Sequence, residues 1–141
     1  MTIRLMIDTN IFIDVFTKRD SFYINSKRVL ELCENKNIIG FVSASNITDI
    51  YYLIRRITKS SSTAYDAIGS ILNIVKVVSV TNNDVEMAYS QKAKDFEDCL
   101  LATCAKSNNL KGIVTRNKSD FESFGIDLYS PEEIINIISN S

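Results

Sequence analysis

The apolar run Ile3, Leu5, Met6 and Ile7 stops abruptly in Asp8, Thr9 and Asn10, within "RLMIDTNIFIDVF" (4–16). The run reads as a buried strand, because β-branched and apolar residues follow one another without polar alternation. From Asn10 to Phe16 the pattern reads as the start of a helix, with Asn10 as its N-cap. Asp8 therefore stands where a core strand ends and the chain turns. Alone it would be an ordinary turn former, since Asp bonds nearby backbone amides. Other carboxylates arriving at the same place would give it a chemical role.

Two further stretches supply them. "GIVTRNKSDF" (112–121) repeats the opening pattern: an apolar strand ends in Thr115, and Asn117 and Asp120 follow in the loop. "DFEDCLL" (95–101) opens a helix with Asp95, Glu97 and Asp98. Acidic residues in a first turn complement the helix dipole, and Asp95 suits the N-cap. Asp98 differs, because Leu101 and Ala102 at i+3 and i+4 put it on the inward face. A carboxylate at the rim of an apolar face needs a cation or several donors, since burying it unpaired is costly. Asp49 lies off the Ile47–Ile50–Ile54 stripe of its helix, nearer Arg56, and fits a solvated face as well as a cleft.

If Asp8, Asp98 and Asp120 converge, with Asp49 beside them, their charges repel unless a cation neutralises them. An all-oxygen donor set without His or Cys suits Mg2+ or Mn2+. Such an ion lowers the pKa of a bound water and stabilises charge on a phosphoryl oxygen. The reaction class is then metal-assisted phosphodiester hydrolysis. Absences point the same way. The chain has no His, which removes Ser-His-Asp and Cys-His catalysis and His-ligated zinc. Its 4 glycines, at 40, 69, 112 and 125, form neither GxGxxG nor GxxxxGK[ST].

The elements needed to position these residues are those of an α/β domain. The 141 residues fit one domain, 1–141, and 45% hydrophobic with 23% charged residues is enough for a core. Apolar runs at 38–44, 76–80, 111–117 and 126–130 read as strands after the first. Helical patterns lie between them, at 21–36 with Ser21 as cap, 45–57, 64–75, 81–94 and 95–109. "SPEEIINII" carries the N-cap Ser, N1 Pro and N3 Glu of a capped final helix. The alternation implies a three-layer α/β/α fold with a mostly parallel central sheet of four to five strands. In such sheets sites gather beyond the carboxyl ends of the strands.

The net charge of −1 gives no overall attraction to nucleic acid, so phosphate binding would need local basic groups. Three cysteines without CxxC spacing fit reduced thiols in a cytoplasm, with Cys104 packed in the core. No stretch reaches transmembrane length and no leader pattern opens the chain, so a soluble cytoplasmic protein without membrane association is expected.

At four places the sequence resembles the PIN-domain ribonucleases: "MIDTNIFID", "VSASNITDIYYL", "DFEDCLLATCA" and "IVTRNKSDF". It looks most like the small stand-alone members that include VapC-type toxins. The resemblance implies acidic residues holding Mg2+ or Mn2+ for endonucleolytic cleavage of single-stranded or looped RNA. Asp8, Asp98 and Asp120 match the family's metal-holding positions, and Asp49 falls where the family commonly has Glu, one methylene longer. Asn10, Thr115 and Asn117 match polar supporting positions. Asp95 and Glu97 are extra carboxylates without an assigned role. Arg55, Arg56, Arg116 and Lys118 are the basic residues available to hold RNA phosphates. An antitoxin protein and a homodimer are the protein partners suggested.

Three alternatives use the same strand-end Asp. A haloacid-dehalogenase-like phosphatase needs a second Asp two residues on, where this chain has Asn10. A response-regulator receiver needs an Asp after the third strand, and "KVVSVTNN" offers none suitable. A non-catalytic PIN-fold module for RNA binding or protein interaction would follow from loss of a core carboxylate, and only Asp49 departs from the pattern.

Overall fold

The computed structural model describes residues 2–141. Strand β1 (Ile3–Ile7) runs directly into helix α1 (Thr9–Phe16), and α2 (Tyr23–Glu34) returns to β2 (Ile38–Ser43). A helical hairpin, α3 (Ala44–Thr58) and α4 (Ser61–Ile74), leads to β3 (Lys76–Val78). Helices α5 (Asn82–Gln91) and α6 (Phe96–Ser107) carry the chain back across the sheet to β4 (Gly112–Val114). Short 3-10 turns at Lys118–Asp120 and Glu122–Phe124, then β5 (Asp127–Tyr129) and α7 (Pro131–Ser139), complete it.

The five strands form one parallel sheet in the order β3-β2-β1-β4-β5, with β1 in the middle. Pleating splits β1 between two cores. Leu5 and Ile7 face a layer that includes Ile11, Phe12, Val29, Ile50, Ile54, Ile71 and Ile134, from α1, α2, α3, α4 and α7. Met6 faces the opposite layer with Phe41, Cys99, Leu101, Cys104 and Ile113, built on α6 with Ala88 of α5. The expected three-layer α/β/α sandwich is the one formed, and its sheet has five strands, all parallel. Burial raises the thiols of Cys33 to about 12 and Cys104 to about 11, which leaves both as inert packing groups.

The helix starts differ from expectation at three places, one of them α4, which begins at Ser61 with Ser60 as its cap, three residues before the expected 64. Asn10 is not the cap of α1. Asp8 has the extended backbone of an N-cap (φ −68°, ψ 150°) and accepts from the Thr9 N–H at 2.8 Å, so the cap lies two residues earlier. Ser21 does not cap α2 either: it sits at φ 73°, in the left-handed region, and the helix starts after Phe22 with no side-chain cap. Asp95 does cap α6, accepting from the Asp98 N–H at 2.9 Å. Ser130, Pro131 and Glu133 form the capping box expected for α7. No helix among the described residues is long and apolar enough to cross a membrane.

Candidate functional site

Strands β1 and β4 lie side by side, and on either side of them the chain winds away in opposite directions. This is the reversal point of the sheet, where the loops after the two strands diverge and leave a crevice. Asp8 follows β1 and Thr115 follows β4. Each is fixed by the neighbouring strand: the Asp8 N–H donates to the Val114 carbonyl at 3.0 Å, and the Thr115 N–H to that of Tyr129 at 2.9 Å. The Thr115 hydroxyl, fully buried, donates to Asp8 Oδ2 at 2.8 Å and accepts from the Asn117 N–H at 3.0 Å. Both oxygens of the Asp8 carboxylate are therefore oriented, one by Thr9 and one by Thr115. Only 7% of Asp8 is exposed, and beside it the buried Thr9 hydroxyl oxygen has no hydrogen-bond partner.

Asp98, in the first turn of α6, and Asp120, at the end of the first 3-10 turn, line one cleft of about 570 Å3 with Asp95, Lys94, Ser119 and Ser123. Electrostatics ties Asp8 to this group. Burial raises the Asp8 carboxyl above the usual range, Thr115, the Thr9 N–H and Arg116 pull it down, and Asp120 adds to the rise. Asp98 is pushed up to about 7, first by burial and then by the charges of Asp95, Asp8, Asp120 and Glu97. Glu97 is raised by partial burial of its carboxyl and by Asp49, Asp95 and Asp8. Asp49, half-buried on α3, thus reaches the cluster's edge through Glu97.

The basic residues are spread out. Arg55 and Arg56 are exposed in the last turn of α3 and share a separate shallow pocket with Tyr52 and Lys59. Lys118 stands at the site but pairs with Glu133 of α7 at 2.8 Å. Arg116 is engaged in a different direction from the one expected: Nε and Nη2 bond the two oxygens of Asp14 at 2.7 and 3.1 Å, and the guanidinium lies 3.8 Å from the ring centre of Phe22. Asp14, wholly buried on α1, also accepts from the Ser26 hydroxyl at 2.8 Å. Sequence reasoning overlooks Asp14. Its signal is a charge inside the apolar run "IFIDVF", which burial would leave costly without a partner. Asn10 and Asn117 are half-buried on the first turn of α1 and in the loop after β4.

Comparison with known proteins bears on this arrangement. A PIN domain family model matches residues 4–119, most of the chain, including the stretches that carry Asp8, Asp49 and Asp98 and ending one residue before Asp120. The chain belongs to the PIN domain family. A search of curated proteins gives no match. Among solved structures, this PIN domain is similar to Mycobacterium tuberculosis VapC20, a sarcin-ricin loop cleaving toxin, at 18% identity and a TM-score of 0.68, covering 87% of this chain and 96% of that one. It is similar also to a toxin-antitoxin complex from Klebsiella pneumoniae, at 21% identity and 0.66, covering 90% and 97%. A third is VapBC2 from Rickettsia felis bound to a DNA fragment of its promoter, at 18% identity and 0.68, covering 91% and 98%. These likenesses establish a shared fold.

The donor set of the PIN domain suits a hard divalent cation. The acidic candidate ligands offer carboxylate oxygens, burial and then their mutual repulsion push Asp98 up to about 7, and a dication would relieve the repulsion. The unpartnered Thr9 hydroxyl adds a further oxygen donor beside Asp8. As the side chains stand, no three acidic or cysteine side chains among the described residues surround one point. The fit is one of donor chemistry and charge.

Proposed function

We propose that this PIN domain is a divalent-metal-dependent endoribonuclease that cleaves single-stranded or looped RNA, and that it is the toxin of a toxin-antitoxin pair. One observation carries the reading: at the reversal point of a PIN fold Asp98 and Asp120 line one cleft, and the charges of Asp8 and Asp120 both help raise the Asp98 carboxyl. Asp8, Asp98 and Asp120 would hold Mg2+ or Mn2+. When bound, such an ion supplies an acidified water and stabilises charge on a phosphoryl oxygen. The chain's own part is preorganisation. Thr115 and the Thr9 N–H fix the rotation of the Asp8 carboxylate. Asn117 holds the Thr115 hydroxyl through its N–H. Asp49 would orient a water at the rim. Of the four basic candidates, Arg55 and Arg56, exposed on α3, form no ion pair among the described residues and would meet RNA phosphates away from the cleft. Structural likeness to toxin-antitoxin assemblies supports an antitoxin partner; a homodimer is compatible with the same reading.

The test is purified protein with Mn2+ or Mg2+ on a structured RNA pool, with chelator and Asp8→Asn controls. Cleavage lost in both controls supports the proposal, and cleavage surviving both overturns it. A second reading, a non-catalytic RNA-binding module, is favoured by the open spacing of the carboxylates. Metal-independent RNA binding without cleavage would decide for it.

A further inference from the structure

Arg116 sits between Thr115, which orients Asp8, and the turn that carries Asp120. Its guanidinium is taken up by α1 and by Phe22 at the start of α2. There Asp14 takes it with two bonds, at 2.7 and 3.1 Å, and Phe22 covers its face at 3.8 Å. Asp14 is itself held: Ser26 of α2 donates to the same Oδ2 at 2.8 Å, and Arg19 approaches Oδ1 at 3.9 Å. A planar fork locked bidentately cannot rotate without breaking both bonds, so the pair fixes direction as well as distance. The stretch from Thr115 to Asp120 has little else that binds it to the α1–α2 layer. Its other ties are the Thr115 hydroxyl to Asp8 at the cap of α1, the Thr115 N–H to β5, the internal bonds of the 3-10 turn, and the exposed Lys118–Glu133 pair.

We propose that Asp14 is a positioning residue of the site: through Arg116 it clamps the 115–120 loop against α1 and α2, so that Thr115 meets Asp8 and Asp120 lines the cleft. The same helix, α1, thereby presents both Asp8 at its start and, further along, the anchor of the opposite loop. The two halves of the crevice are registered to one rigid element. A residue supporting groups that hold an ion typically changes affinity or rate by about 10–100-fold when removed. The inference rests on the ribonuclease reading for its kinetic consequence, but its structural core does not.

The test compares wild type, Asp14→Asn and Ile71→Ala, the last a core truncation on α4 that lowers stability elsewhere. Each is studied at a temperature where circular dichroism shows it folded. Hydrogen exchange of residues 115–121 should accelerate in Asp14→Asn more than in Ile71→Ala, led by the Asn117 amide. Calorimetric Mn2+ affinity should weaken, and kcat should fall by about 10–100-fold with a smaller change in KM for RNA, while Ile71→Ala keeps both. If Asp14→Asn does not fold, Ser26→Ala removes one bond to Asp14 and should shift the same readouts in the same direction by less. Loop exchange no faster than in Ile71→Ala, with wild-type kcat and Mn2+ affinity, would overturn the proposal and leave Asp14 a fold-stabilising pair. A wild type that neither binds Mn2+ nor cleaves RNA overturns the ribonuclease reading instead, and loop exchange alone then decides whether Asp14 clamps the loop.

Discussion

The Thr115 hydroxyl donates to Asp8 Oδ2 at 2.8 Å across the two central strands, and no solvent reaches the donor. One atom thus joins the ends of β1 and β4 and sets the rotation of the carboxylate most deeply placed in the site. Its second bond, from the Asn117 N–H, uses the same oxygen as acceptor. Removing the hydroxyl therefore strands an N–H and loosens Asp8 together.

Thr115→Val keeps the shape and removes that oxygen. It should destabilise the fold by about 1–3 kcal/mol, the cost of leaving a buried polar group unsatisfied. RNA cleavage should fall by about 10–100-fold, as for other groups that orient a metal-holding side chain. Thr115→Ser should recover most of both losses. Urea unfolding and cleavage assays on the three proteins test this; a Val variant of wild-type activity would remove Thr115 from the site.

Asp8→Asn, Asp98→Asn and Asp120→Asn should each suppress cleavage and leave the circular dichroism spectrum intact, because the amide keeps the volume and loses the charge. Ligand binding to the native state raises the melting temperature. Mg2+ or Mn2+ should therefore stabilise the wild type and stabilise each variant less. Relief of repulsion also favours the metal-free Asp98→Asn variant, since Asp98 faces four other carboxylates. Equal thermal shifts for wild type and all three variants would exclude these residues as ion holders.

Asp98 further gives the metal-free protein a predictable response to pH. In the folded state its proton is held up to about 7, whereas an unfolded chain releases it near about 3.9. Between those values the folded state binds more protons, so stability falls with rising pH. The contribution is complete below the unfolded value and lost as pH rises through the folded one. Melting temperatures in chelator at pH 5 and pH 8 should differ more in wild type than in Asp98→Asn. Metal competes with that proton, so apparent Mn2+ affinity should climb over the same interval. A pH response identical in the two proteins would contradict the assignment.

The fold is legible in the sequence because its signals are periodic and local. The strand-to-helix alternation, the capping box of Ser130 and Glu133 and the cap at Asp95 are all set by residues within a few positions of one another. The cap of α1 escapes a sequence reading because Asp8 and Asn10 are both good cap residues, and only the backbone at Asp8 decides between them. Ser21 misleads because a helix held by tertiary packing can begin without a cap. At the site, Asp98 and Asp120 announce themselves by their place relative to apolar runs. The Asp14–Arg116 pair does not, since its members are 102 positions apart and nothing in either local sequence names the other. That long-range pairing commits the Arg116 guanidinium to Asp14.

The same pairing separates the basic residues experimentally. Arg116→Ala would leave the wholly buried Asp14 with Ser26 and a distant Arg19 as its partners. Breaking a buried pair from one side costs about 3–5 kcal/mol, which for a domain of this size lowers the melting temperature by on the order of 10 °C. Arg55→Ala and Arg56→Ala remove exposed charges from the last turn of α3 and should leave the melting temperature almost unchanged. Their effect should fall on RNA binding: for each phosphate no longer neutralised, the slope of log affinity against log salt becomes shallower by about 0.7 for a single strand. Folded Arg116→Ala should keep the wild-type slope, because its guanidinium is held by Asp14 and does not meet the backbone of the nucleic acid. Binding measured across a salt series, beside thermal melts of the same proteins, distinguishes the two roles. An Arg116→Ala variant of unchanged stability and shallower salt dependence would return the guanidinium to the RNA-binding surface.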